Sequence, residues 1–448
     1  MQGKVTSDLS FCLAENGFSL DELVIKLADL FEHKAMSEFL KLILQLVQEV
    51  LMSRIFAGKM AMSCCDNGRL QLNGSFNRRI RTSIGEFKMD FVRVRCSACG
   101  KTFAPLQRFI QLDHYQTKTG ELEKLVVEAA SATNYRRAVA DLKRDGKFSV
   151  AYRTAHDWVI RSDCDEIAIS NDIIGSLPVQ IMPDGTKFKG SGQNGKARQG
   201  DLKVVIGINT RGEVFPLGSW AGKSWEYISE QWKLGQVTLP KGSILISDGE
   251  LGLSEAFSEY VDEQQRCHWH IKRDLYHAMH QDGGTTKEAK PLQDALAGAL
   301  AIELPEDDFE RVSEQEKSDI EERMENTEQA IDKLISYLEV HGYDAAATYI
   351  QRAKRGMFGY IRRWLKWGLI SPRASSMVER VMRELARRIK KIAYGWSDKG
   401  VTKVARIILK RFTNSQEWEA YWKEKMNIVG NVYIAIGNYK VFSQNFAH

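Results

Sequence analysis

No stretch of this 448-residue chain is long and apolar enough to cross a bilayer; the most apolar window, Phe39 to Met52, is broken by Lys41, Gln45, Gln48 and Glu49, which excludes a spanning helix and a membrane role. The opening Met-Gln-Gly-Lys-Val-Thr-Ser-Asp holds no apolar signal region, so the expected location is the cytoplasm. Cysteine is sparse and odd in number, seven in all, which argues against a disulfide framework and points to free thiols, metal ligands or a catalytic role. There is no internal repeat, low-complexity tract or long linker. Net charge is also small, only +5, too little to name a partner.

What is present reads as a multi-domain globular chain, with 43% apolar and 27% charged residues. The charge is unevenly distributed. Gln351 to Arg411 carries eighteen Lys/Arg against three acids, a phosphate-binding candidate, whereas Thr285 to Asp344 carries six against seventeen, a solvated acidic segment.

Ser19-Leu20-Asp21-Glu22 is a capping-box pattern, and Leu20 to Phe31 repeats at helical spacing, which predicts a helical region over residues 1–60. Alternation such as Phe87-Lys88-Met89-Asp90-Phe91, flanked by cysteines, predicts a small β module over 61–105. Helical patterns at Leu122 to Leu142 and Ser149 to Val159 follow in 106–170; Tyr152, Arg153, His156 and Arg161 make the second either a DNA-reading helix of a helix-turn-helix or an ordinary surface helix. Strands are expected at Val179 to Met182, Leu202 to Asn209, Val214 to Trp220 and Ile244 to Ser247, with a hairpin turn at Arg211-Gly212, then helices from Ile271 to about Arg411 and a short strand at Asn431 to Ile436.

Asp184 follows the first of these strands and Asp248 closes the last. Each Asp-Gly can be a plain turn; together, at the ends of two strands of one sheet, they can converge to hold Mg²⁺. Downstream stand Gln265-Arg266-Cys267-His268-Trp269-His270-Ile271-Lys272-Arg273 and Ser375-Ser376-Met377-Val378-Glu379-Arg380. In the order Asp184, Asp248, Cys267-x-x-His270 on the next strand, helical segment, Glu379, the chain from about Pro178 to Arg411 resembles the Mutator-like superfamily of DDE transposases, found in bacterial insertion sequences and eukaryotic DNA transposons.

The resemblance implies an α/β fold with an RNase H-like catalytic core, a mixed sheet with flanking helices, split by an all-helical insertion: core over 171–284, insertion over 285–365, the rest of the core with the Glu379 helix over 366–415, and a tail over 416–448. It implies that Asp184, Asp248 and Glu379 bind two Mg²⁺ or Mn²⁺ ions, that Cys267 and His270 sit beside the active site, and that the protein cuts the ends of its own insertion sequence and joins the 3′-hydroxyls to target DNA. The implied partners are double-stranded DNA, as terminal inverted repeats and target, and further copies of the chain on that DNA, in a bacterial, nucleoid-associated setting. The residues alone allow Glu379 to be the acid of a Ser376-x-x-Glu379 capping box. Glu384 is its competitor for the metal, but five residues on it is turned roughly 140° away.

Cys96-Ser97-Ala98-Cys99-Gly100 is knuckle-like, and with Cys64-Cys65 it suggests a Zn²⁺ ribbon; adjacent thiolates do not form the usual knuckle, so the metal has three cysteines and another ligand, or the site has decayed. Gly190 to Lys196 fits G-x-x-x-x-G-K, but Ala197 stands where a phosphate loop needs Ser or Thr. With Lys187, Lys189, Lys196 and Arg198 it reads instead as a flexible basic loop near Asp184 that contacts DNA. Lys272 and Arg273 are further phosphate candidates, and Arg380, Arg383, Arg387, Arg388, Lys390 and Lys391 crowd one helix, where like charges at i, i+4 call for an anionic partner. The competing functions are an RNase H-like nuclease that only hydrolyses and a DNA-binding regulator derived from a transposase.

Overall fold

The alternation around Phe87 folds as expected: β1 (Leu70–Thr82) and β2 (Gly85–Cys96) form an antiparallel hairpin, with β3 (Thr102–Phe103) on the other edge of β2. Phe87, Met89 and Phe91 point to one face, where Leu51 and Ile55 of α1 (Met36–Phe56) and Leu106 of α2 (Pro105–Phe109) complete a small core. Gln48 fastens α1 to β2, donating to Asp90 O and accepting from Val92 N.

The structure is a computed structural model that describes residues 35–60, 62, 65, 68–145, 148–162, 174–192, 197–391, 395–413 and 415–428. The helix expected at Leu20 to Phe31, Cys64, Lys196 and the strand expected at Asn431 to Ile436 lie outside the described residues. The chain divides into two units, one of residues 1–126, 142–149 and 416–448, the other of 127–141 and 150–415. The long helical pattern before the core is two helices, α3 (Gly120–Ala132) and α4 (Tyr135–Arg144), followed by α5 (Tyr152–Arg161). In the second unit Tyr135 meets the His156 ring edge-on and Arg136 lies over Tyr152, so His156 and Tyr152 are engaged by a neighbouring helix.

The second unit is built on a mixed five-stranded sheet. β4 (Val179–Ser191), β5 (Ala197–Asn209) and β6 (Val214–Ala221) run antiparallel; β7 (Ile244–Ser247) and β8 (Glu263–Arg266) lie parallel to β4, in the spatial order β6-β5-β4-β7-β8. The β5–β6 hairpin turns at Arg211-Gly212, where Gly212 takes a φ of 79°. Odd-numbered side chains of β4, β5 and β7 (Val179, Ile181, Val205, Leu245) pack with α6 (Trp225–Leu234) and α7 (Leu253–Phe257). The opposite face receives α13 (Ser376–Ile389) on β4 and α14 (Asp398–Thr413) on β6.

Between β8 and α13 the chain is helical: α8 (His268–Gln281), α9 (Thr286–Ala299), a 3₁₀ turn at Phe309–Arg311, α10 (Glu314–Val340), α11 (Asp344–Lys354) and α12 (Gly359–Trp367). Ile271, Leu275 and Met279 of α8 share one core with Leu296, Ile335, Ile350 and Trp364. The helical body therefore begins at α8, ahead of the expected start at 285. In the first unit α15 (Ser415–Lys425) sets Glu419 against Lys124 at 2.7 Å.

Candidate active site

Asp184 does not follow a strand; β4 runs through it to Ser191, which corrects the shorter strand expected from the sequence. Pro183 supplies the physical reason for the misreading. Proline is unusual inside a sheet because it has no N–H to give the ladder. Here the pairing of β4 with β7 is confined to Gln180↔Ile244 and Ile181↔Leu245, while β5 continues to pair along the other edge. Asp248 directly follows the end of β7, and it is near enough to Asp184 for its charge to act there. Asp184 is on the face of β4 opposite Ile181, and α13 packs on β4.

Asp248 begins a tight turn: its Oδ1 accepts from Glu250 N at 3.0 Å, and Gly249 takes a φ of 84°. The turn reading of Asp248 is thus fulfilled, and its charge also bears on Asp184. Burial first, and then the negative charges of Asp248 and Glu379, push the Asp184 carboxyl up to about 6 against the lowering effects of the Gly185 N–H and the His270 ring. A further carboxylate, Glu250, stands over Gly185, on the other face of β4 from Asp184. A Cβ on Gly185 would lie 3.1 Å from Glu250 Oε2, and Glu250 is held by Lys203 Nζ at 3.0 Å. The sequence carried it in Asp248-Gly249-Glu250, with no signal beyond adjacency.

Glu379 is not part of a Ser376 capping box. The N-cap is Ser375, no side chain caps the helix, and Ser375 Oγ instead lies 3.4 Å from Glu379 Oε1. Glu384, the competitor, pairs with Arg387 at 3.0 Å. Cys267-x-x-His270 also departs from expectation, since it lies past the end of β8: Cys267 is the N-cap of α8 and His270 is in its first turn. Cys267 is fully buried and links three elements. Its N–H donates to Ser247 O of β7 at 2.8 Å, its sulfur accepts from Ser375 N at 3.4 Å, and its thiol hydrogen-bonds the His270 ring. Burial alone would raise its pKa; the His270 and Ser375 hydrogen bonds prevail and bring it down to about 7. Burial opposes protonation of His270, yet Cys267 holds its pKa above the usual value.

One ligand-capable atom each of Cys267, His270 and Glu379 lies within 4.8 Å of the others. Among the described residues the three acids do not form so tight a group; Glu379 leans toward the Cys–His pair. The acids still suit a hard divalent cation, because their oxygens are the donors such ions prefer, and the like-charge repulsion that lifts Asp184 is what a cation relieves.

The cationic candidates divide. Arg380 and Arg383 are exposed on α13, and Arg387 is exposed but paired with Glu384. Arg388 is corrected: 1% exposed, it donates to Ala130 O at 3.2 Å and stacks over Tyr135 and Trp396, so it cannot reach DNA. Lys187 and Lys189 project from β4 and are not in a flexible loop; Lys187 faces Asp201 at 3.6 Å, and Arg198 on β5 binds Asp398. Gly190 is small because Arg198 and the Trp396 carbonyl crowd it, a packing reason for a phosphate-loop look-alike. Arg273 is neutralised by Asp274 at 2.6 Å beside partly exposed Lys272.

In the first unit Cys65, Cys96 and Cys99 bring their sulfurs within 4.8 Å of one another, Cys65 and Cys96 at 3.5 Å. Cys96 ends β2, Gly100 N donates back to Cys96 O, and Gly100 takes a φ of 71°, the tight turn a C-x-x-C-G knuckle needs. Gly68 is a close approach: a Cβ there would lie 2.1 Å from Cys96 Sγ. Hydrogen bonding with Cys96 chiefly raises the Cys65 pKa, as expected of crowded thiols.

No family model matches the chain, and no curated protein matches it.

Proposed function

We propose that the protein is a DNA transposase of the DDE type, which cuts the ends of its own insertion sequence and transfers the 3′-hydroxyls to target DNA. The observation that carries the reading is the nearness of three carboxyls: Asp184 on β4 feels the charges of Asp248, just past the end of the neighbouring parallel strand β7, and of Glu379 on α13, which packs on β4. The mixed sheet, with three antiparallel strands followed by two parallel to the first, is compatible with the RNase H-like core this reading calls for. Asp184, Asp248 and Glu379 would hold Mg²⁺ or Mn²⁺, which when bound polarise the scissile phosphate and lower the pKa of the attacking hydroxyl. The chain's own residues do the positioning. Cys267 ties the end of β7 to the start of α13, so the loop bearing Asp248 and the helix bearing Glu379 share one anchor. Exposed Arg380 and Arg383 follow Glu379 on α13, where they hold strand phosphates and orient DNA toward the acids. Hydrolysis and strand transfer are one phosphoryl exchange with different nucleophiles, so a single site serves both.

The test is incubation of the protein with DNA carrying its own flanking ends, Mg²⁺ and a labelled target. Cleaved ends and joined products are expected. Asp248→Asn and Glu379→Gln should each abolish both while leaving DNA binding. Near-normal cleavage by the Glu379 variant refutes the assignment, and cleavage without joining favours a nuclease.

A further inference from the structure

We infer that a polar cavity at the turn that follows Asp248 takes one nucleotide unit of the bound DNA, with its phosphate on Arg352 and Arg355 and its base against Arg266; this rests on the DNA-cleaving reading above. The cavity has a volume of about 640 Å³, within the range of small-ligand pockets, and lies between the turn after β7 and the helical insertion. A second hollow of about 450 Å³ shares Gly249, Arg266 and Arg352 with it and adds Tyr349. Gly249 adjoins Asp248 in the chain, while none of Asp184, Asp248 and Glu379 lines either hollow, so an occupant is held apart from the three acids.

Three guanidinium groups line the cavity. Arg266 lies across the backbone at Gly249, where a Cβ would come within 1.6 Å of its Cζ, and the Tyr349 ring is 5.9 Å from it. Arg266 Nε is shielded and has no acceptor among the described residues. Arg352 and Arg355, from the end of α11 and just past it, are exposed and make no ion pair among the described residues. The insertion is fixed in place here, because Arg266 N donates to Gly356 O at 2.7 Å. Acids are present too: Lys203 neutralises Glu250, but Glu255 is not so matched. A bare phosphate would be repelled by that carboxylate. A nucleotide satisfies both signs, since its base offers amino hydrogens to an acid and a flat face to a guanidinium.

The probe is a short single-stranded oligodeoxynucleotide bearing one 5-iododeoxycytidine, bound to the full chain without divalent cation and photocrosslinked, with its abasic analogue for comparison. Crosslinks are expected in the segments 249–258 and 345–356, and binding should weaken on removing the base. Arg352→Ala/Arg355→Ala should reduce affinity about tenfold and flatten its salt dependence. Crosslinks confined to other segments, equal binding of the abasic strand, or unchanged affinity in the double variant each overturn the proposal. The crosslink map on the unaltered chain does not depend on how the variant folds. Because no cleavage is read, failure of the transposase reading leaves the result interpretable, and DNA cleavage with no crosslink here refutes the cavity alone.

Discussion

At the scale of the residue, Asp184 carries its charge at a cost in stability. Its carboxyl is held near 6 against an ordinary 3.8, by burial first and then by Asp248 and Glu379. The folded state thus favours the protonated form. The associated stability is present below 3.8 and is lost as pH rises through about 6. Asp184→Asn removes the charge and keeps the shape, so at neutral pH, in chelator, it should be more stable than the parent by about 2–3 kcal/mol, converting a shift of about two units. The gain should vanish in mild acid below the ordinary aspartate range. Urea unfolding of both proteins at several pH values checks this; equal stability at neutral pH means that the three acids do not repel one another. The two aspartates and the Cys-x-x-His pair stand out in the sequence because short motifs carry their own spacing, but their strand and helix context does not. Nor does Glu250, since only the fold shows that the missing side chain of Gly185 leaves room for it.

At the scale of the element, charge counts mislead where a helix has a buried face. The apolar positions of α13, Val378, Val381, Met382, Leu385 and Ile389, follow helical spacing, and Arg388 falls on the same side. The sequence shows six cations on one helix; it does not show that a carbonyl and two aromatic rings wait for one of them. Arg363 and Lys403 are likewise interior, Arg363 donating to Gly242 O at 2.6 Å and to Ser371 Oγ at 2.6 Å, and Lys403 donating to Ser162 O. The basic segment is therefore partly structural. β4 illustrates the opposite error. Pro183 and Gly185 read as a strand end, yet pairing to β5 along its whole length carries the strand through both. Arg388→Ala should destabilise the fold by about 3 kcal/mol, because it strands buried partners. Arg380→Ala/Arg383→Ala should leave stability unchanged and weaken DNA binding with a shallower salt slope. Urea unfolding and fluorescence anisotropy across a salt series separate the two; a stable Arg388→Ala with impaired binding reverses the assignment.

At the scale of the whole molecule, the thiol cluster and the carboxylate cluster belong to different units and differ in the metal they suit. Soft sulfurs from Cys65, Cys96 and Cys99 suit Zn²⁺, whereas the oxygens of Asp184, Asp248 and Glu379 suit Mg²⁺ or Mn²⁺. Three thiols crowded at the open end of β2 are a poor way to finish a small sheet unless a cation draws them together. The core beside them, Phe87, Met89 and Phe91 against α1, is modest, and a metal adds folding free energy where apolar area is short. The purified chain should therefore carry one Zn²⁺, lost in Cys96→Ser/Cys99→Ser. Removal should lower the unfolding temperature of the unit that holds the thiols. Manganese affinity at the carboxylates, read by electron paramagnetic resonance, should stay unchanged, because none of the three acids lies in that unit. A chain with no zinc and an unaltered unfolding profile in the double variant shows that the knuckle folds without metal. A fall in manganese affinity shows instead that the two clusters are energetically coupled.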